Sequence, residues 1–371
     1  MANLNSSPIR VLQISDSLKQ RFGITSYLLN YMRNINYNRI VFDFLVLDSE
    51  PEIEEEIKNK GGRIFYMPSL KIGEIKSYLN YFQYFFSQNH YIIVHSHFYQ
   101  IDFLVASVAL RNGVKHYISH SHNTKYSDYF FRSVRNCIMS QPMKMISTDY
   151  CACSEKAAAF LFGKLLLSWR KKKSVVIPNA IDYGKFSFSE TMRCQIRDKY
   201  EISDCLVFGN VGSLKPQKNH IFLLKVFKKI LEIYPKSVLM LVGEGKIKDY
   251  LDQLVIEYGI DKKIIFVGTT STPWMYYNAF DCYLFPSLYE GFGLSLLEAQ
   301  VNSLGCVCSN TVPDEPIISK YVSKLDLKDD VSKWAQIACN YALKGRNDDP
   351  IDGFYNIKDQ AENLMRYYEN I

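Results

Sequence analysis

Two kinds of hydrophobic pattern alternate along the chain. Short apolar runs, such as residues 9–15 (IRVLQIS) and 41–47 (VFDFLVL), have the length of buried strands. Longer stretches between such runs, for example 24–35 and 101–112, repeat apolar residues at the three- to four-residue spacing of helices. Strands that alternate with helices predict parallel sheets covered by helices on both faces.

The same pattern divides the chain into two halves. It also predicts strands at 63–67, 91–95, 115–119, 150–154, 205–212, 238–243, 264–268, 282–287 and 306–310. Residues 176–186, with Pro178 and Gly184, interrupt the alternation. The expected fold is therefore α/β, with two Rossmann-like doubly wound domains. Because ligands bind at the carboxyl ends of parallel strands, we expect these domains to face a central cleft.

Composition is consistent with two folded domains. The chain has 371 residues, of which 47% are hydrophobic and 14% aromatic. No apolar run reaches the ~18 residues of a membrane span, and the start lacks a signal-peptide pattern, so a cytoplasmic location is expected. Nine cysteines, including the pairs Cys151/Cys153 and Cys306/Cys308, are interpreted as small core residues of a reducing compartment.

Positive charge is concentrated in the first half. Residues 1–180 hold 22 Lys or Arg and 13 Asp or Glu, whereas the remainder holds 22 and 25. An anionic substrate, a membrane surface or nucleic acid could each match this charge, but no nucleic-acid-binding module is recognisable. Residues 157–173 combine an apolar face with a basic end. This segment predicts either an ordinary helix or an interface helix on an anionic membrane leaflet.

Three loops of the second half have the composition of phosphate-binding loops. Residues 210–220, 241–251 and 286–300 each follow a predicted strand and lead into a predicted helix. Glycine allows a backbone to approach a ligand closely, and the N-terminus of a helix attracts anions. The glycines in these loops are Gly212, Gly243, Gly245, Gly291 and Gly293. Neither a Walker A motif nor a complete G-x-G-x-x-G motif is present.

The third loop carries two glutamates, Glu290 and Glu298, on either side of Gly291, Phe292 and Gly293. If a helix begins near Gly293 and Leu294, its amides can bind a diphosphate. A carboxylate can accept two hydrogen bonds from neighbouring sugar hydroxyls. The pattern therefore favours a ligand with a sugar, a diphosphate and a ribose. The structural alternative is that Glu290 caps the helix and Glu298 is a solvated residue.

Taken together, these motifs resemble the retaining glycosyltransferases of family 4, which have the GT-B fold. The resemblance covers most of the chain, and the motifs as a whole are similar to those of bacterial capsular or exopolysaccharide transferases. The segments that carry it are HSH (95–97), SHSHN (119–123), CSEKAAAFLFG (153–163), VIPNAID (176–182), VGSLKPQKN (211–219), VGEG (242–245) and PSLYEGFGLSLLEAQ (286–300).

The resemblance implies three regions with different roles. Residues 1–180 would bind the acceptor, 181–355 would bind the nucleotide-sugar, and 356–371 would form a helix that crosses back to the N-terminal domain. Leu364 and Tyr368 would supply the apolar contact of that helix.

The resemblance also assigns roles to individual residues. Glu298 would bind the nucleotide ribose, and Lys218 the diphosphate. Gly23 would let the first loop close over the phosphate, and His120 would be the active-site histidine. The implied catalytic residues are His120, Glu290 and Lys218. The implied donor-binding residues are Gly23, Gly212, Ser213, Lys215, Lys218, Gly243, Glu290, Gly291, Phe292, Gly293, Leu294 and Glu298.

Two positions depart from the family pattern. Family members usually carry Arg at the position of Ser213, so one cation on the leaving diphosphate is missing here. Lys215 could replace it, although an ammonium is not a bidentate guanidinium. Phe22 also precedes Gly23 where a glycine pair is usual. Either departure is consistent with an altered donor, weak activity or an enzyme that depends on a partner.

Four of the seven histidines form two H-S-H triplets, with His95 and His97 in one and His120 and His122 in the other. Such pairs present both rings on one face of a strand and could bind a metal ion. No Cys or acidic cluster supports that alternative. The favoured interpretation gives His120 contact with substrate, without a metal or other cofactor.

The sequence therefore predicts an enzyme that moves a sugar from a UDP- or GDP-linked donor to a hydroxyl acceptor. A lipid-linked saccharide of capsule or exopolysaccharide synthesis is the expected acceptor. An anionic membrane surface is the expected additional partner, and nucleic acid is not expected to bind. The alternatives are a nucleotide-sugar epimerase of the same fold and a non-catalytic partner subunit.

Overall fold

The computed structural model of the protein describes residues 7–19, 23–71, 73–98, 102–122, 130–163, 174–348 and 350–371. The chain divides into two compact units. The N-terminal unit comprises Met1–Ala180 and Phe354–Ile371, and the C-terminal unit comprises Ile181–Gly353. The division after Ala180 lies at the interruption of the hydrophobic pattern.

The N-terminal unit is a parallel sheet covered by helices. Its strands are β1 (Ile9–Leu18), β2 (Ile40–Ser49), β3 (Ile64–Tyr66), β4 (Ile93–Ser96), β5 (His116–Ser121), β6 (Asp149–Ala152) and β7 (Val175–Val176). Its helices are α1 (Gly23–Asn34), α2 (Pro51–Asn59), α3 (Ile75–Gln88), α4 (Asp102–Arg111), α5 (Phe130–Ile146), α6 (Glu155–Phe162) and the terminal helix (Ile357–Glu369). The strand order is β3-β2-β1-β4-β5-β6-β7.

In this order the direction of winding reverses between β1 and β4. These strands pair in parallel, with Gln13 opposite His95. Ligands of doubly wound sheets bind where the strand order reverses, just beyond the carboxyl ends of the strands. The H-S-H triplets lie at the carboxyl ends of β4 and β5, so they occupy this position in the N-terminal unit.

The terminal helix packs into the core of the N-terminal unit. Leu364 and Tyr368 are buried there together with residues of β1, β2 and α1. Arg39 adds polar contacts by pairing with Glu362 and Glu369, each at 2.7 Å. The apolar contact predicted for Leu364 and Tyr368 is therefore made with this unit.

The C-terminal unit repeats the same architecture. Its strands are β8 (Leu206–Val211), β9 (Ser237–Val242), β10 (Ile264–Gly268), β11 (Cys282–Phe285), β12 (Gly305–Ser309) and β13 (Val322–Leu325). Its helices are α7 (Tyr183–Phe186), α8 (Glu190–Lys199), α9 (His220–Ile233), α10 (Lys248–Glu257), α11 (Pro273–Ala279), α12 (Leu294–Val301) and α13 (Val331–Lys344). The order β10-β9-β8-β11-β12-β13 reverses between β8 and β11.

Two strands are absent from the sequence prediction. Strand β13 lies at an edge of its sheet and contains a serine and a lysine, so its hydrophobic signal is weak. Strand β7 has only two residues. All nine cysteines are free, and Cys151, Cys153, Cys306 and Cys308 are buried in their units.

The prediction of one helix over 157–173, either ordinary or at a membrane interface, is wrong in its extent. Helix α6 ends at Phe162, because Gly163 adopts a φ of 72°. Its apolar residues, including Ala157, Ala158, Leu161 and Phe162, are buried in a core cluster and cannot face a membrane. Residues 164–173 lie outside the described residues. Among the described helices, none has the length and apolar character needed to span a bilayer.

Candidate active site

Three loops meet at the reversal point of the C-terminal sheet. They follow β8, β9 and β11, which are neighbours in the sheet. The side-chain amide of Asn210, at the end of β8, donates to the carbonyl of Leu284 on β11 at 2.7 Å. The loops predicted to bind phosphate therefore lie side by side, although residues 221–240 and 252–285 separate them in the sequence.

Lys218 and Glu290 join two of these loops. The Lys218 ammonium lies 2.8 Å from a carboxylate oxygen of Glu290, and 15% and 8% of the two side chains are exposed. The ammonium also lies 4.7 Å from the centre of the Phe285 ring. The resemblance implies that Lys218 contacts the diphosphate and that Glu290 faces the donor sugar, and the structure brings these two residues together.

The loop after β9 requires glycine for a steric reason. Gly243 has a φ of +134°, and a Cβ atom there would lie only 2.2 Å from the carbonyl oxygen of Gly212. The Gly243 amide donates instead to the carbonyl of Gly268 at 2.9 Å. Gly212 and Gly243 thus bring the first two loops into backbone contact.

Helix α12 begins at Leu294, as predicted, and its first amides have no side-chain cap. The N-cap residue is Gly293, with a φ of 98°. Because Glu290 pairs with Lys218, it does not cap this helix. The free amides and the positive end of the helix dipole therefore begin four residues after Glu290 in the same loop.

Glu298 lies inside α12 and is partly buried. It accepts a hydrogen bond from the hydroxyl of Tyr277 at 2.6 Å. Burial raises the pKa of Glu298 to about 7, while the Tyr277 hydroxyl and the Lys218 charge oppose the rise. Glu298 is therefore not the solvated residue of the structural alternative, and near neutral pH its carboxyl titrates.

Ser213 and Lys215 occupy the loop after β8. Ser213 is half-buried, and Lys215 is exposed. The Lys215 amide donates to the carbonyl of Ser213 at 2.8 Å, which holds this part of the loop in a tight turn. Lys215 thus belongs to the same loop as Lys218, but it lacks the buried ion pair that Lys218 makes.

His220 is a neighbour of this site that sequence patterns missed. It is the first residue of α9 and is 1% exposed. Within the described residues, neither of its ring nitrogens has a hydrogen-bond partner. Burial and then the nearby Lys218 charge lower the pKa of His220 to about 4, so the ring is neutral. The feature of the sequence that could have indicated His220 is its position directly after Asn219, at the start of a helix.

In the N-terminal unit, four histidines form a compact cluster. The rings of His120 and His122 stack with centres 4.1 Å apart, and those of His95 and His97 with centres 4.6 Å apart. A hydrogen bond of 3.0 Å joins His95 Nε2 to His120 Nδ1, and one of 2.7 Å joins His97 Nδ1 to His122 Nε2. Gln13 and Tyr368 complete this cluster, and the sequence did not predict these polar contacts for either residue.

These histidines are neutral at pH 7. Burial lowers the pKa of His95 and that of His122 to about 3, and it also lowers the pKa of His97 and of His120 well below the usual value. The Nε2 atom of His120 has no hydrogen-bond partner among the described residues. His120 therefore lies at one end of the hydrogen-bonded cluster, with a buried ring nitrogen that could contact a substrate.

The metal alternative has a geometric basis in three of these rings. One nitrogen from each of His95, His97 and His120 lies within 4.8 Å of the others. The same rings already engage in hydrogen bonds with one another and with Gln13 and Tyr368. An ion would have to displace some of those bonds. A metal-free site remains our prediction.

Gly23, the remaining predicted donor contact, is the exposed first residue of α1. A Cβ atom there would meet nothing within 4 Å. Phe22 lies outside the described residues. The role in phosphate binding of the loop that precedes α1 therefore stays a prediction.

Comparison with known proteins identifies similar glycosyltransferases. Residues 193–335 match the family model of glycosyl transferases group 1. A Bacillus subtilis protein named as glycosyltransferase EpsF is 29% identical over 350 residues, which are 92% of this chain and 90% of that protein. The Escherichia coli UDP-Gal:α-D-GlcNAc-diphosphoundecaprenol α-1,3-galactosyltransferase is 32% identical over 143 residues, 37% of each chain.

Solved structures show the fold. The Anabaena protein HepE, crystallised with UDP-glucose, has a TM-score of 0.72 and 14% identity, and the match covers 98% of this chain and 100% of that one. The two doubly wound units thus have the GT-B fold. With its glycosyl transferases group 1 domain, the chain is a glycosyltransferase.

Proposed function

We propose that this glycosyltransferase moves a hexose from a UDP- or GDP-linked donor to a hydroxyl of a lipid-linked saccharide, with retention of configuration, as the resemblance to family 4 implies. The observation that carries the proposal is the Lys218–Glu290 pair beside the uncapped start of α12. The reaction belongs to capsule or exopolysaccharide synthesis on the inner face of the plasma membrane.

The donor site would act mainly on the leaving group. As the bond between the sugar carbon and the diphosphate breaks, negative charge develops on the phosphate oxygen. Lys218 and the first amides of α12 are the groups that can stabilise this charge without reorganising. Glu290 holds Lys218 in place and accepts a hydrogen bond from the sugar. The acceptor hydroxyl attacks the same face of the sugar and gives its proton to the departing diphosphate.

Glu298 would recognise the nucleotide. Its carboxylate, oriented by Tyr277, can accept hydrogen bonds from the two ribose hydroxyls. The bound UDP-glucose of HepE supports a nucleotide in this fold, and the name of the E. coli relative supports a UDP-linked hexose. That name also specifies an α linkage and a diphosphoundecaprenol acceptor, which supports retention and a lipid carrier.

Product analysis tests the proposal against its alternatives. The purified protein is incubated with UDP- or GDP-hexoses and a lipid-diphosphate-linked saccharide. A new glycosidic product with the donor's anomeric configuration is expected, and Lys218→Ala should abolish it while Lys236→Ala, an exposed lysine of the same unit, should not. An epimerised donor without transfer supports the epimerase, and no change in donor or acceptor supports the partner subunit.

We also propose that helix α5 brings the enzyme to an anionic membrane surface. Phe131, Val134, Ile138 and Met145 are 86%, 44%, 66% and 62% exposed. At 3.6 residues per turn these positions fall within an arc of roughly 60°. The opposite side of α5 is buried through Asn136, Ser140 and Met143. An exposed apolar stripe of this kind is typical of a helix that lies in a membrane interface.

The charge of α5 and of the sequence that follows it favours an anionic surface. Arg135 is exposed beside the stripe, and between residues 130 and 173 the sequence holds nine Lys or Arg and two Asp or Glu. An acceptor on a lipid carrier also places the substrate at such a surface. Each basic residue near an anionic leaflet contributes about 1 kcal/mol, and salt screens that contribution.

Vesicle sedimentation measures this interaction. Wild type should bind phosphatidylglycerol vesicles more tightly than phosphatidylcholine vesicles, and less tightly in high salt. Ile138→Glu should weaken binding about tenfold. The control is Ile256→Glu, because Ile256 is a similarly exposed isoleucine (69%) in the C-terminal unit. Equal losses in the two variants would refute the role of α5.

A further inference from the structure

A continuous chain of hydrogen bonds ends at His120. We call it the histidine relay, and its members in order are His122, His97, Gln13, Tyr368, His95 and His120. Gln13 lies on β1 and Tyr368 on the terminal helix, 355 residues apart. The relay therefore joins the first strand of the chain, two later strands and the last helix at the point where the sheet order reverses.

The amide of Gln13 gives the relay a direction. Its Nε2 atom can only donate, and it lies 3.2 Å from the Tyr368 hydroxyl oxygen. The hydroxyl has one proton to donate, and among the described residues the acceptor within reach of that proton is His95 Nδ1, at 2.6 Å. With its Nδ1 accepting, the neutral His95 ring carries its proton on Nε2 and donates to His120 Nδ1 at 3.0 Å.

The other half of the relay agrees with this direction. The Oε1 atom of Gln13 can only accept, and His97 Nε2 lies 2.9 Å from it. A neutral His97 with its proton on Nε2 accepts at Nδ1, where His122 Nε2 lies at 2.7 Å. Every bond then has one donor and one acceptor, and every ring carries one proton. This assignment of one proton to each ring requires four neutral histidines, and the low pKa values of the four rings meet that requirement.

We propose that the histidine relay fixes His120 as the tautomer with its proton on Nε2, so that His120 donates a hydrogen bond to a substrate oxygen and is not a base. Its Nε2 atom is the end of the relay and has no partner in the described part of the protein. This inference rests on the proposed function and deepens it. Gln13 and Tyr368 are positioning residues, because they act on the substrate only through His95 and His120.

The proposed role agrees with the chemistry of transfer with retention. The acceptor proton leaves with the diphosphate, so the reaction needs no protein base at the acceptor hydroxyl. It needs a donor that holds a substrate oxygen in a defined place as the sugar carbon becomes cation-like. A neutral imidazole with Nε2–H can hold a sugar or acceptor oxygen without adding positive charge next to that carbon.

The test is a direct reading of the tautomers by NMR on protein labelled with ¹⁵N at histidine. In wild type at pH 7.5, His120 should show a protonated Nε2 and an unprotonated Nδ1. Gln13→Glu should reverse this pattern, because a carboxylate accepts from the Tyr368 hydroxyl. Tyr368 then accepts from His95 Nδ1–H, and His95 Nε2 accepts from His120 Nδ1–H. A wild-type His120 with its proton on Nδ1, or a pattern unchanged in Gln13→Glu, would overturn the proposal.

Kinetics provide a second readout with a matched control. Tyr368→Phe breaks the relay, whereas Tyr367→Phe changes the adjacent tyrosine of the same helix, which contacts Cys151 and is outside the relay. Tyr368→Phe should lower kcat about fivefold to tenfold with less than a twofold change in donor KM. Tyr367→Phe should leave kcat nearly unchanged, and equal losses would contradict the relay. Predicted tautomers without any sugar transfer would contradict the proposed function alone.

Discussion

The ammonium of Lys218 and the carboxylate of Glu290 lie 2.8 Å apart, although 72 residues separate them in the chain. Both side chains are largely buried, so each charge depends on the other for stabilisation. A donor diphosphate would share Lys218 with Glu290. The ion pair therefore keeps a cation desolvated and oriented at the place where a leaving group needs it.

Glu290→Gln should lower turnover more than nucleotide affinity. The amide cannot hold the Lys218 ammonium as firmly, so the cation loses orientation in the transition state, while Lys218 itself remains to attract phosphate. We expect kcat to fall about tenfold to a hundredfold, which corresponds to the loss of a charged hydrogen bond of about 1.5–3 kcal/mol. Calorimetric Kd values for UDP and GDP should change less than threefold. Equal losses in kcat and affinity would mean that Glu290 is only a structural partner of Lys218.

The sequence predicted this site in part because its signals are local. Glu290, Gly293 and Glu298 lie within nine residues, and their spacing around a strand-to-helix loop is visible in the chain itself. Tyr277 and Tyr368 carry no such signal, because each contacts a partner that is distant in sequence. Only tertiary folding brings these hydroxyls to Glu298 and His95.

The same distinction applies to the fold. Nearly continuous apolar runs identified the central strands of both sheets, whereas the polar edge strand β13 could not be distinguished from a loop. In 157–173 the apolar pattern allows an exposed helix face, but the described apolar residues Ala157, Ala158, Leu161 and Phe162 are buried in the core. The exposed apolar stripe of α5 was missed, because periodicity shows that a helix has an apolar side but not whether that side is covered.

Gly243→Ala should destabilise the C-terminal unit strongly. The new Cβ would lie 2.2 Å from the Gly212 carbonyl oxygen, so one of the two loops must move. We expect a loss of at least about 2–3 kcal/mol in the free energy of unfolding. Gly259→Ala is the matched control, because Gly259 also has a positive φ, of +65°, but a Cβ there meets nothing within 4 Å. It should cost only about 1 kcal/mol. Similar losses in urea unfolding would show that the backbone angle alone matters.

Glu298 should make stability fall as the pH rises toward neutrality. Burial raises the pKa of this carboxyl from 4.5 to about 7, so the folded state keeps a proton that the unfolded state has released. Between these two pH values the folded state binds more protons, and the free energy of unfolding decreases with pH, by about 3 kcal/mol in total. Glu298→Gln should remove this decrease. An unchanged pH profile of urea unfolding in Glu298→Gln would contradict the raised pKa.

The same carboxyl should make nucleotide binding pH-dependent in the opposite direction. The ionised form is the better acceptor for two ribose hydroxyls, so UDP affinity should rise between about pH 6 and pH 8. The second ionisation of a terminal phosphate also lies near pH 6, and it affects wild type and variant alike. Glu298→Gln should therefore retain only the phosphate contribution, with weaker binding at pH 8. Parallel pH profiles of UDP affinity would exclude Glu298 from the ribose.

Ser213 offers a gain-of-function test of the donor site. If the arginine that family members usually carry here is a missing cation, Ser213→Arg should strengthen donor binding or raise turnover. A recovered charged hydrogen bond of about 1.5–3 kcal/mol corresponds to roughly ten- to a hundredfold. Because Lys215 is exposed on the same loop and Lys218 is already paired with Glu290, a guanidinium could contact the diphosphate without replacing either. Donor affinity and kcat are measured for wild type and Ser213→Arg.

The variant Lys215→Ala tests whether Lys215 already supplies the cation that an arginine at position 213 would add. If Lys215 already acts in place of the arginine, its loss should weaken donor binding about tenfold, whereas Ser213→Arg should be neutral or harmful through repulsion between cations. If Ser213→Arg improves the enzyme and Lys215→Ala is silent, the arginine position is vacant in this chain and Lys218 alone neutralises the diphosphate. Should no nucleotide-sugar bind wild type or either variant, the transferase assignment of this site would fail and the partner-subunit alternative would stand.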